Sequence, residues 1–159
     1  MRIRVLASGV GLVLLLATVS AGQDQDTIKV DLKSFKFKVK EDKANLFGYN
    51  EDDGKLFFYT DGPAEATVKI PADGNYEILV KASCDSALNE RAKFKLSVDG
   101  KLVDKETLLT ADDVKEYKFT TKLTAGERKL TIEFTNDVYK ENEYDRNLYV
   151  HGVTVKAVK

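Results

Sequence analysis

The chain contains few of the residues that form crosslinks, stack on ligands or act in catalysis. Among its 159 residues are one cysteine, one histidine, two prolines and no tryptophan. A single cysteine excludes an internal disulfide, so the fold must be held by its core and, in one reading, by a metal. We expect Cys84, which follows an apolar stretch, to be an inert and partly buried thiol. Without tryptophan, any stacking surface must come from tyrosines.

The positive and negative charges of the chain also nearly balance. The formal net charge is −1 and the sequence pI is about 5.9. A nucleic-acid-binding or anionic-membrane-binding surface needs a basic stripe, and the sequence contains none. Nucleic acid is therefore excluded as a partner.

The first 21 residues have the features of a secretory leader. Arg2 and Arg4 precede an apolar run that extends to Ala17, and Val19-Ser20-Ala21 has the small-residue form of a cleavage site. A retained anchor is the alternative, but a spanning helix needs about 20 apolar residues and this run is shorter. We predict a signal peptide at 1–21, no membrane insertion after its removal, and a secreted or periplasmic protein.

Removal of the leader would leave 138 of the 159 residues, which is enough for one domain. We predict a polar lead-in at 22–27 and a single domain at 28–159. Apolar and polar residues alternate with the period of strands over 28–32, 35–39, 55–60, 66–70, 76–82, 92–98, 101–108, 117–123, 130–134 and 148–155. The change of parity between the first two ranges predicts a bulge or bend.

Turn residues separate these strands. Asp73-Gly74, Asp99-Gly100 and Ala125-Gly126 each lie between apolar runs and predict hairpins. Helical periodicity is weak, and 86–92 and 111–115 could each form at most a turn or two of helix. Many short strands at about ten-residue spacing predict an all-β fold, an antiparallel β-sandwich of the jelly-roll type.

The last predicted strand changes parity. Leu148 and Val150 share one face, Val153 and Val155 share the other, and Gly152 lies between them. A β-bulge at Gly152 would bring all four into the core. Tyr149 and His151 would then point outward.

A short loop crowded with oxygen-bearing side chains precedes this strand. Ca²⁺ binds about six to eight oxygens, which Asp, Asn, Glu and backbone carbonyls supply together, so the composition of the loop is typical of a calcium site. A solvated hairpin connection is the alternative from composition alone. The oxygen-bearing residues of the loop are Asn136, Asp137, Glu141, Asn142, Glu143, Asp145 and Asn147.

The same segment resembles a known family. Phe134-Thr135-Asn136-Asp137 and Asp145-Arg146-Asn147-Leu148-Tyr149-Val150 look like the signature of the calcium-dependent, xylan-binding type of carbohydrate-binding module. The segments 71–83, 95–103 and 123–134 resemble consecutive strands and turns of that family. The resemblance implies a β-sandwich that binds polysaccharide through Ca²⁺, with two vicinal sugar hydroxyls completing the coordination of the ion.

Residue roles follow from the resemblance. It implies Asp137 and Asp145 as the main carboxylate ligands, Asn136 and Asn147 as further oxygen donors, and Glu143 as one more candidate ligand. Arg146 would hydrogen-bond the sugar or pair with a ligand carboxylate. Tyr139, Tyr144 or Tyr149 would supply stacking, and His151 stands where the family often has an acidic residue.

The sequence offers little support for catalysis. A glycosidase needs two carboxylates at a defined separation, and no feature selects such a pair. Cys84 and His151 form the one thiol–imidazole combination, with no third group to orient them. We therefore predict no catalytic residues and no enzyme activity, although a partner enzyme in trans is compatible with the family. The remaining alternative is an adhesion or assembly module in which Ca²⁺ is purely structural.

A second acidic run, Asn50-Glu51-Asp52-Asp53-Gly54, partly resembles a calcium loop. It lacks the alternating ligands and terminal Glu of an EF-hand, so we interpret it as a polar turn.

Overall fold

The backbone is built almost entirely of strands. A computed structural model describes residues 27–38 and 41–158, so the predicted leader and most of the lead-in lie outside the described residues. Two short 3-10 helices, Leu32–Ser34 and Glu41–Leu46, accompany the strands. The strands are β1 Thr27–Val30, β2 Lys36–Phe37, β3 Phe47–Asn50, β4 Lys55–Phe58, β5 Gly62–Ile70, β6 Gly74–Asp85, β7 Lys93–Val98, β8 Lys101–Leu102, β9 Thr107–Leu108, β10 Lys115–Leu123, β11 Gly126–Phe134, β12 Tyr139–Lys140, β13 Tyr144–Asp145 and β14 Asn147–Val158.

Two antiparallel sheets enclose the core. Sheet I has the order β10-β6-β14-β4-β3, with β1 also paired to β14. Sheet II has the order β2-β5-β11-β7-β8, with β9 also paired to β7, and β12 and β13 form a separate hairpin. Apolar residues of both sheets alternate inward and are almost fully buried, among them Phe58, Ile78, Phe94, Ile132 and Val150. The predicted antiparallel β-sandwich is confirmed.

The parity change near the N-terminus marks a change of sheet. Strand β1 pairs with β14 in sheet I, whereas β2 pairs with β5 in sheet II. The 3-10 turn Leu32–Ser34 joins them, and the Asp31 side chain accepts a hydrogen bond from the Lys33 amide at 3.0 Å. The predicted bend is confirmed, and it carries the chain across the sandwich.

One of the three predicted hairpins exists. Asp99-Gly100 joins the paired strands β7 and β8, and both residues have positive φ, at 50° and 77°. Asp73-Gly74 and Ala125-Gly126 instead carry the chain from one sheet to the other, so the hairpin prediction there is wrong. Glycine and Asp permit a tight reversal in either case, and whether the two strands pair depends on which sheet receives them.

Other local expectations were also corrected. Residues 86–92 and 111–115, where at most a turn or two of helix was expected, contain no helix; Ala87 and Glu90 form a β-bridge, and Ser86 and Arg91 donate to Asp112. The predicted strand 101–108 is two short strands, β8 and β9. Strand β3 was missed, since Gly48 interrupts its alternation.

The bulge in β14 is confirmed. Val150 pairs with Ala82 and Gly152 with Lys81, so His151 is the extra residue. Val150, Val153 and Val155 are all buried, and Tyr149 and His151 lie on the outer face of sheet I.

Two smaller predictions are confirmed as well. Cys84 is buried, with its sulfur 3.7 Å from the Ala111 carbonyl oxygen, and burial raises the pKa of its thiol. The acidic run at 50–54 is a polar turn between β3 and β4, in which Asn50 Oδ1 accepts hydrogen bonds from two following amides and Gly54 has a φ of 64°.

Candidate functional site

A cleft of about 580 Å³ lies where the loop before β14 meets one end of sheet I. We call it the acidic cleft. The end of β4, the segment that follows β11, the β12–β13 hairpin and the start of β14 all contribute to it. Its lining consists of Leu46, Tyr59, Thr60, Asp137, Tyr139, Asp145, Asn147 and Tyr149.

Asp137, which lines this cleft, has an unsatisfied carboxylate oxygen. Its Oδ1 atom is buried and has no hydrogen-bond partner. Its amide donates to Asp61 Oδ1 at 2.7 Å, which holds the backbone in place. Burial raises the pKa of the Asp137 carboxyl, the Thr60 hydroxyl opposes that rise, and the negative charges of Asp61 and Asp145 add to it. A cation at this position would remove the cost of burying the carboxylate.

Asn147 presents a second unsatisfied oxygen. Its amide nitrogen donates to Asp145 Oδ2 and to Asp85 Oδ2, both at 3.0 Å. Two carboxylate acceptors identify that atom as nitrogen, so the other amide atom is Oδ1. Asn147 Oδ1 is buried without a hydrogen-bond partner.

The donor set fits a hard cation. A buried polar atom without a partner costs about 1–3 kcal/mol, and two such oxygens belong to residues that line the same cleft. Across the described ranges, no three Asp, Glu, His or Cys side chains are grouped to hold a metal. An ion here would therefore draw on amide, backbone and ligand oxygens in addition to Asp137 and Asp145. Ca²⁺ accepts such a mixed oxygen set.

Arg146 lies inside the protein and not at the cleft surface. It is 4% exposed, and its guanidinium donates to the carbonyl oxygens of Ala87, Glu90 and Asn136. These three bonds give Arg146 a structural role, and its contact with sugar stays a prediction.

The Asn136 side chain hydrogen-bonds the backbone of a neighbouring segment. Its Oδ1 accepts from the Lys93 amide at 2.6 Å, and its Nδ2 donates to the Arg91 carbonyl oxygen at 2.9 Å. Both ends of the predicted ligand side chain are thus engaged in holding the 91–93 backbone.

The remaining predicted residues are distributed around the cleft. Tyr139 lines it and is 63% exposed, and Tyr149 lines it with its hydroxyl donating to Asp85 Oδ2 at 2.7 Å. Tyr144 and Glu143 lie on the hairpin outside the lining, and Glu143 pairs with Lys140. His151 is farther along β14, with its Nε2 atom 2.8 Å from Ser83 Oγ.

Sequence reasoning missed several residues of the site. Tyr59, Thr60 and Leu46 line the cleft, while Asp61 accepts from the Asp137 amide and Asp85 from the Asn147 side chain. The segment Tyr59-Thr60-Asp61 directly follows an apolar strand, and Asp85 ends another, so each had a local signal. What sequence could not supply was their proximity to the 136–147 loop.

Several solved structures that share this fold are carbohydrate-binding modules. The CBM36-1 domain of a multidomain xylanase from the hindgut metagenome of Trinervitermes trinervoides superposes with a TM-score of 0.60 at 12% identity, over 84% of this chain and 98% of that one. A CBM36 module in complex with calcium and xylotriose gives 0.55 at 14%, over 83% and 98%. CBM35 from Paenibacillus barcinonensis gives 0.54 at 18%, over 83% and 98%. The likeness confirms the predicted jelly-roll class.

The family is shown by the sequence itself. The model of the Ca-dependent, xylan-binding carbohydrate-binding modules, CBM60, matches residues 77–159, more than half of the chain. This protein therefore belongs to the CBM60 family. The predicted family and its dependence on Ca²⁺ are confirmed, and the protein is a module that binds polysaccharide such as xylan. Among curated proteins, none matches the sequence.

Proposed function

We propose that the acidic cleft is the site at which this module binds calcium and, through it, a xylan-type glycan. Asp137, Asp145 and Asn147 would hold the ion. The observation that supports this most strongly is the pair of buried, unpartnered oxygens, Asp137 Oδ1 and Asn147 Oδ1. Bound Ca²⁺ would supply the charge that lets two neighbouring sugar hydroxyls compete with water.

The residues around the ion have separate tasks in this proposal. Asp85 and Asp145 orient the Asn147 amide, and Asp61 holds the Asp137 backbone. Tyr139 and Tyr149 line the cleft and would form the walls against which a sugar lies. Glu143, Tyr144, Asn136 and Arg146 keep supporting roles at or behind the loop.

We further propose that the module is non-catalytic and acts outside the cytoplasm. Residues 1–21 have the pattern of a secretory leader, and within 27–38 and 41–158 no helix is long and apolar enough to cross a membrane. A module of this kind would bring its partner, a polysaccharide, to an enzyme acting in trans.

Calorimetric titration tests the calcium-dependent site directly. We expect xylotriose to bind in CaCl₂ and not in EDTA. Asp137→Asn, which weakens the negative ligand and keeps the shape, should lower glycan affinity by about tenfold or more. Asp113→Asn, an exposed carboxylate outside the cleft, is the matched control and should leave binding unchanged.

Two results would contradict the proposal. Binding that persists in EDTA would remove calcium from recognition. A melting temperature that responds to chelator, with no binding of any glycan, would instead support the structural-calcium alternative.

A further inference from the structure

The outer face of sheet I continues from the acidic cleft as a row of aromatic side chains. Strand pairing places Gly48 opposite Phe57, and Phe57 opposite Tyr149. Tyr59 stands two residues beyond Phe57 and so faces the same side of the sheet. Tyr59 and Tyr149 also line the acidic cleft, which makes the two surfaces continuous.

Phe57 lies flat on the sheet because Gly48 leaves room for it. A Cβ atom added at Gly48 would stand 2.7 Å from both Cε1 and Cζ of the Phe57 ring. The Phe57 and Tyr59 rings are 4.8 Å apart between centroids and only 35° from parallel. Tyr59 is 40% exposed, so one part of its ring is open to solvent. Together Phe57, Tyr59 and Gly48 form what we call the aromatic platform.

Tyr149 fixes the end of the platform next to the cleft. Its hydroxyl is bonded to Asp85, Lys55 Nζ lies 4.6 Å from its ring centroid, and its ring meets Tyr59 edge-on at 82°. A ring held from three directions loses little freedom when a ligand arrives.

Polar groups border the platform. Ser83 and His151 form a 2.8 Å pair, and Lys55 is paired with Asp53 at 3.1 Å. An apolar centre with polar edges matches a sugar ring, which presents C–H groups on its faces and hydroxyls on its rim. Residues two apart on a strand are about 6.6–6.8 Å from each other, a span comparable to one sugar ring.

We infer that the aromatic platform is a second sugar subsite, which takes further rings of the same glycan chain whose first ring lies at the acidic cleft. This rests on the proposed function. Gly48, Phe57 and Tyr59 all precede the residues matched by the family model, which begin at 77. With this platform the module binds extended glycan chains, and its affinity grows with the length of the glycan.

Titration of the purified protein with xylobiose and with xylohexaose in CaCl₂ tests this inference. We expect xylohexaose to bind about tenfold or more tightly than xylobiose. Phe57→Ala should reduce the ratio of xylohexaose affinity to xylobiose affinity by about fivefold to tenfold. The xylobiose affinity itself should stay within about twofold, because Phe57 does not line the acidic cleft.

Two further variants keep the test independent of folding. Phe57→Leu keeps an apolar side chain but removes the flat ring. Gly48→Ala displaces the Phe57 ring from its position over residue 48. Both changes should lower the affinity ratio. Gly74→Ala is the matched control, since a Cβ there meets only Tyr76 Cε2 at 3.8 Å. Equal affinities for the two oligosaccharides, or a ratio unchanged in all three platform variants, would overturn the inference. Absence of calcium-dependent binding to either sugar would overturn the proposed function instead.

Discussion

At the scale of single residues, the strongest indication of a cation site is a pair of buried side-chain oxygens. Asp137 Oδ1 and Asn147 Oδ1 are removed from water without a partner, and proteins rarely leave such atoms unused. The charge of Asp61 and Asp145 makes the Asp137 carboxylate still less favourable without a cation. The chain therefore gives up some stability in its metal-free state at the place where calcium would restore it.

His151 gives a pH dependence with a defined sign. Burial, and then the positive charge of Lys55, lower the pKa of His151 below its usual 6.5, whereas Asp53 raises it. Ser83 contacts its ring, and Lys81 lies on the neighbouring strand. The unfolded chain therefore takes up the proton more readily, and stability present above pH 6.5 is lost as pH falls below that value.

We predict that His151→Gln removes this part of the pH dependence. Urea denaturation at about pH 7.5 and about pH 5 should show a smaller loss of unfolding free energy in the variant than in the unmodified protein, because glutamine retains a polar contact and cannot be protonated. Equal losses in both proteins would show that His151 does not contribute.

At the scale of elements, Arg146 ties separate loops together. Its guanidinium joins the 87–90 turn to the carbonyl oxygen of Asn136, and Asn136 in turn holds the start of β7. The loop that carries Asp137 and Asp145 is thus fastened to the sandwich at its base, and its two calcium-ligand candidates are positioned before any ligand binds.

We predict that Arg146→Lys destabilises the protein by about 2–4 kcal/mol. Lysine brings one charged nitrogen in place of a planar group with several fixed donors, so buried carbonyls would lose their partners. Chemical denaturation measures the change. Arg91→Lys, an exposed arginine paired with Asp112, is the control and should cost about 0.5 kcal/mol or less. Equal effects of the two changes would refute the structural role of Arg146.

At the scale of the whole molecule, one buried cysteine means that no disulfide supports the sandwich. We predict that about 10 mM CaCl₂ raises the unfolding free energy by about 1.4–2.7 kcal/mol over EDTA, given dissociation constants of about 10⁻⁴–10⁻³ M for extracellular modules. Thermal unfolding in the two buffers checks this. MgCl₂ at the same concentration should stabilise less, because Mg²⁺ demands stricter geometry. An unchanged melting temperature would contradict a calcium site.

The sequence determined what depends on nearest neighbours along the chain. Alternation of apolar residues identified most strands, the parity changes located the bend after β1 and the bulge in β14, and the crowd of Asp and Asn identified the loop that contains Asp137, Asp145 and Asn147. Each of these is a local property, since side chains of a strand face opposite sides in turn and like charges close in sequence are close in space.

Tertiary structure alone decided which local pieces meet. Asp73-Gly74 and Ala125-Gly126 have hairpin chemistry, yet their flanking strands pair in different sheets. Nothing in the sequence indicated that Arg146 would be buried and would donate to three carbonyl oxygens, two of them more than fifty residues away. Tyr59 lines the cleft, and Asp85 contacts Asn147 and Tyr149 behind it, only because β4 and β6 both pair with β14. Long-range pairing is set by the packing of the complete core, which no single segment specifies.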